Sequence, residues 1–189
     1  GCVGKPITGW LPALTFICLN VGSALLTVAI LAGLKVSLVV MYPRPLVGAQ
    51  MGIWSMGTVV LGVSGIYLVL ATMILLYPLL VLRMLFFGEK RPELVLSERT
   101  RNDPGLLGMT LAALTLLIAG TPLVIVGTAV MLALYGIVPL AAVSWATEPV
   151  VFQYSFFIFA HNLMEAMALM VISAMYATLP LYLADGTRK

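Results

Sequence analysis

The chain has 189 residues, of which 62% are hydrophobic and only 9% charged, and its mean hydropathy is +1.13. Soluble domains carry about 25% charged residues and roughly half apolar ones, so a soluble enzyme is excluded and an integral membrane protein is indicated. The formal charge of +3 gives no reason to expect a nucleic-acid partner, because the basic residues are scattered over breaks between apolar stretches.

A helix needs about 20 residues to cross the hydrocarbon, and four apolar stretches of that length or more are present. The fold expected is all-α, a polytopic transmembrane helix bundle of four spans forming one membrane-embedded unit over residues 1–189. The first span covers about 9–34, opened by Lys5 and Pro6 and followed by Lys35. The segment "VSLVVMYPRPLVGAQ", residues 36–50, then places two prolines around Arg44, which removes backbone donors and breaks a helix. The second span, about 51–82, contains Gly57, Gly62 and Gly65, small residues that permit close helix approach. A strongly polar loop at 83–105 carries Arg83, Lys90, Arg91, Arg99 and Arg101 against Glu89, Glu93, Glu98 and Asp103. The third span, about 106–138, is long enough to tilt or to bend at Pro122. Residues 138–149 contain no basic residue, and Trp145 there suits an interface with headgroups. The fourth span, about 150–183, runs into "ADGTRK".

Lys and Arg in short loops set orientation. With a cytoplasmic amino end, Lys5, the five basic residues of the 83–105 loop, Arg188 and Lys189 lie inside, against Lys35 and Arg44 outside. Both ends are therefore expected in the cytoplasm. The polar ends, without an initiator methionine or a signal-peptide pattern, are expected to be those of a fragment. Cys2 and Cys18 have neither disulfide-framework nor metal-ligand spacing and read as structural. No internal repeat points to a duplicated transporter.

The informative stretch is "FAHNLMEAM", residues 159–167, which holds the chain's single histidine, His161, and a glutamate, Glu165, inside an apolar span. A charged side chain at the centre of a span costs about 2.5–3.5 kcal/mol on insertion scales, so such a residue marks a function. Glu148 and Asp185 lie near span ends and are expected at headgroups or water. Four residues apart, His161 and Glu165 share one helix face. An imidazole and a carboxylate there can hold a first-row metal ion, hydrogen-bond each other or neighbours such as Gln153, Tyr154 and Asn162 and only lock helices together, or carry protons. Two donors do not complete a metal site, and the other three spans have no interior His, Asp or Glu. Ser173, Tyr176 and Thr178 continue the polar groups of this helix as a relay or as interface contacts. Met164, Met167, Met170 and Met175 are expected to pack.

From about Trp10 to Lys189 the order of features resembles the middle of catalytic subunit I of the haem-copper oxidase superfamily, its third to sixth transmembrane helices. The matching features are the "VVMYPRPLVGA" break, a charged loop, a long helix, the aromatic "YSFFIFAHN" and the closing "YATLPLYLADG". The layout is similar to that of the B-family oxygen reductases. The resemblance implies a larger subunit of twelve or more helices in a prokaryotic cytoplasmic membrane, with two haems, a non-haem metal bound by His161, and an electron-donating subunit, cytochrome c or quinol. Tyr176 to Pro180 follow the first part of the tail pattern Y-x-x-L-P-x-x-x-x-G, and Gly186 stands one position beyond its glycine.

Two departures change the implied reaction. Many oxygen reductases of the superfamily read H-P-x-x-Y, whereas Asn162 replaces the proline here and Glu165 the tyrosine. Nitric oxide reductases of the superfamily read H-x-x-x-E, which implies that Glu165 is a metal ligand and a catalytic carboxylate, and iron rather than copper as the non-haem metal. Ile172 also stands where B-family helices carry a further tyrosine of a pumping path. C-family oxygen reductases share the His-Asn pair, so an oxygen reductase remains the alternative. A non-catalytic four-helix membrane protein or transporter is the alternative outside the superfamily.

Overall fold

A computed structural model describes residues 9–35, 54–86 and 103–186. Among them the ordered elements are all helical. Cys2, Lys5, Pro6, the Arg44 break, the loop charges from Glu89 to Arg101, Arg188 and Lys189 lie outside the described residues, as do the side chains of Pro180 and Asp185.

The elements are α1 (Trp10–Leu31), α2 (Met56–Ala71), a π-helical turn (Thr72–Leu76), α3 (Tyr77–Phe86), α4 (Pro104–Leu134), a 3-10 turn (Leu140–Val143), α5 (Ser144–Thr147) and α6 (Pro149–Gly186). Four stretches are long and apolar enough to cross a membrane: Trp10–Leu31, Met56–Arg83, Pro104–Leu134 and Pro149–Tyr176. The shortest has 22 residues, about 33 Å of helix against about 30 Å of hydrocarbon.

Local chemistry places the ends. Ser55 caps α2 by accepting from the Thr58 amide at 3.2 Å, so that helix starts later than the hydropathy suggests. Asp103 caps α4 through the Leu106 amide at 3.1 Å, with Pro104 in the first turn. Helix α4 stops at Leu134, short of the apolar run, because Gly136 takes the left-handed position (φ 69°). There the Gly136 amide reaches the Ala133 carbonyl and the Ile137 amide that of Leu132, at 3.0 and 2.9 Å. Gly33 ends α1 in the same way, at φ 95°. Pro122 lies within α4, which continues as one helix through it.

The second span is not one regular α-helix. Pro78 has no amide hydrogen for the carbonyl of Ile74, and the preceding turn, Thr72–Leu76, is widened to π geometry. Thr72 donates its hydroxyl to the Leu68 carbonyl at 2.6 Å, and Ile74 is fully buried.

Packing divides the bundle into two close pairs. Helices α1 and α2 meet backbone to backbone: a Cβ on Gly65 would stand 2.6 Å from the Leu26 nitrogen and 2.7 Å from the Gly22 oxygen. Gly62 faces Leu34 and Ala29, whereas Gly57 faces open space apart from Ser55. Helices α4 and α6 form the other pair, and the central core joins them to the widened turn through Ile74, Ala112, Leu116, Leu123, Phe159 and Ala166. Ser64 and Tyr135 (2.8 Å) and Tyr67 and Thr128 (2.7 Å) cross-link α2 to the carboxyl end of α4. Ser64 and Thr128 donate onward to carbonyls of their own helices, so both pairs end on the backbone and act as clamps. The outer helices α1 and α6 bury only 11% and 17% of their most apolar stretches, against 33% for each middle span.

Candidate functional site

Helix α6 begins at a cap that hydropathy alone does not show. Glu148 accepts from the Val150 and Val151 amides at 2.8 and 3.2 Å, its carbonyl takes the Phe152 amide, and Pro149 fills the first helical position. The acid expected at headgroups is therefore a helix cap, with an acidic residue directly before proline as its signal. Asp103 repeats that pattern at α4. Trp145, in the short segment before this cap, is half exposed.

One side of α6 faces the bundle through Ser155, Phe159, Ala166 and Ser173, spaced four, seven and seven residues apart. Ser173 packs against Gly108 of α4 and donates to the Leu169 carbonyl. An exposed flank, about 95–135° around the helix from that side, carries His161 and Glu165. Their Nε2 and Oε1 atoms lie 3.8 Å apart, and the side chains are 67% and 61% exposed. The Phe157 ring stacks on the imidazole, with centroids 5.9 Å apart and planes at 18°. Asn162 is turned away, donating to the Ile158 carbonyl at 2.8 Å. The polar contact described for His161 and Glu165 is thus with each other, and not with Gln153, Tyr154 or Asn162.

Among the described residues no group of three or more His, Cys, Asp or Glu side chains converges on a metal-sized site. The two donors on α6 are nonetheless spaced for sharing one ion. Bond lengths of about 2.0–2.2 Å allow two ligands of a first-row metal to stand up to about 4.2 Å apart.

Tyr176 lies eleven residues beyond Glu165, about 20° away around the helix and about 16 Å along it. It is exposed, but Ala168 and Ile172 occupy the turns between. Thr178 points about 140° away from Glu165 and donates to the Ala174 carbonyl at 2.8 Å. Met170 packs inward and accepts from the Tyr77 hydroxyl at 3.1 Å, while Met164, Met167 and Met175 project outward. Cys18 is a half-buried free thiol on α1.

Residues 154, 158, 161, 165, 168, 172, 175 and 179 alternate steps of four and three and are all exposed. This is the spacing with which a helix meets another at about +20°. Comparison of the chain with protein-family models, with curated proteins and with solved structures returns no match.

Proposed function

We propose that this chain is part of the membrane-embedded catalytic subunit of a respiratory reductase of the haem-copper type, with nitric oxide as the favoured substrate. One observation carries the reading: a histidine and a glutamate stand together in the apolar interior of a span, on the side that the described helices leave open. Facing lipid, that pair would carry the insertion cost of about 2.5–3.5 kcal/mol per charged group. Covered by further helices of the same subunit, it supplies half of a metal site. The donor set fits the metal, since imidazole with carboxylate suits iron better than a copper site built of histidines alone. His161 would hold the ion through one ring nitrogen and Glu165 through a carboxylate oxygen. The haem ligands and the remaining metal ligands belong to those further helices.

The reaction consumes two NO, two electrons and two protons and yields N2O and water. A non-haem metal beside a haem would supply the two electrons there, delivered from a cytochrome c or quinol donor. Glu165 would hold the ion through a carboxylate oxygen, and in its protonated form its carboxyl would hold a proton for the reacting oxygen. The apolar side chains along α6 keep bulk water from that exchange. Both chain ends lie in the cytoplasm, as the Lys and Arg distribution favours, in a prokaryotic cytoplasmic membrane.

The test is anaerobic NO consumption and aerobic O2 consumption by the protein purified from its native membrane, for wild type and Glu165→Gln. NO turnover that collapses in the variant supports the reading. O2 turnover insensitive to the substitution assigns the chain to the oxygen reductases. Turnover of neither gas leaves the non-catalytic membrane protein as the better account.

A further inference from the structure

Side chains on an α-helix lean toward its amino end, each covering the turn before its own Cα. At 157, 161 and 165 this lays three groups in one column, with the Phe157 ring above the imidazole and the Glu165 carboxylate below. An exposed histidine is otherwise free to change rotamer, and on a lone helix it would do so. The near-parallel stack at 5.9 Å sets a flat face against the amino-end side of the ring. On the other side Nε2 points to the carboxylate at 3.8 Å. From this column we infer that Phe157 is a positioning residue, which fixes the imidazole plane so that Nε2 and the Glu165 carboxylate present themselves to one metal ion. The inference rests on the metal-site reading above.

The neighbouring ring gives an internal contrast. Phe156 packs against the central core, whereas Phe157 is 64% exposed and touches the histidine instead. An ordinary apolar residue at 157 would be replaceable by leucine, which keeps apolar bulk and loses only the flat face. Under the inference it is not. Hydrogen-bonding partners that orient a metal-binding histidine are worth about 10–100-fold in metal affinity, and a stacked ring that orients it without a hydrogen bond is expected at the low end of that range.

The experiment measures iron affinity by competition with a chelator, and the electron paramagnetic resonance spectrum of the non-haem iron, in the purified full-length protein. The inference expects Phe157→Leu to bind iron about tenfold more weakly with a broadened spectrum, and Phe157→Trp to restore both. Phe156→Leu should lower thermal stability while leaving affinity and spectrum unchanged. Wild-type affinity in Phe157→Leu, or a Phe157→Trp protein as weak as Phe157→Leu, overturns the inference. His161→Leu separates the two levels: if it retains the iron, the metal-site reading itself falls, and the positioning role with it.

Discussion

The two faces of α6 treat polar side chains in opposite ways. On the face toward α4, Ser155 and Ser173 are buried, and no buried side-chain nitrogen or oxygen among the described residues lacks a partner. Such groups cost nothing further and lock helices in place. On the other face, among the described residues, His161 and Glu165 have only each other as polar partners, at a distance too long for a hydrogen bond. Polarity that is settled within the helix serves packing, and polarity left open in the middle of a span points to something outside it.

The contrast can be broken first at the closest helix contact. Gly65→Val should separate α1 from α2, because the added atoms meet the backbone of Leu26 and Gly22 and neither can yield. The expected loss is about 3 kcal/mol or more in reversible unfolding, whereas Gly57→Val, which faces open space, should change little. Phe159→Ala empties the core between α4 and α6 and should cost about 3 kcal/mol with metal content unchanged, whereas His161→Leu should lose the metal. Metal loss in Phe159→Ala equal to that in His161→Leu would erase the distinction between the faces. Glu148→Ala removes the cap of α6 and should cost about 1 kcal/mol. The smallest effect is expected for Ser64→Ala, which breaks the hydroxyl pair with Tyr135, at about 0.6 kcal/mol, typical of such bonds in membranes.

The four spans were legible in the sequence because hydropathy over about 20 residues is a strong signal. Their ends were less so, since caps and glycines set them: Ser55 and Gly136 moved a boundary by several residues and Glu148 by one. The π-helical turn at Thr72–Leu76 was not anticipated, although Pro78 was its available signal. At the site, the spacing of four placed His161 and Glu165 on one face, as found. The side of α6 on which that face lies could not be read, because the helix is apolar nearly all round. In the sequence Phe157 is only one member of an aromatic run; its role depends on the side-chain lean of a helix, which composition does not encode.

The most direct test is the metal content of the protein purified from its native membrane, in wild type, His161→Leu and Glu165→Gln. The account predicts one non-haem iron per chain in the wild type, lost in His161→Leu and weakened in Glu165→Gln, with folding intact in all three. Identical metal content in all three proteins, or none in any, would contradict it.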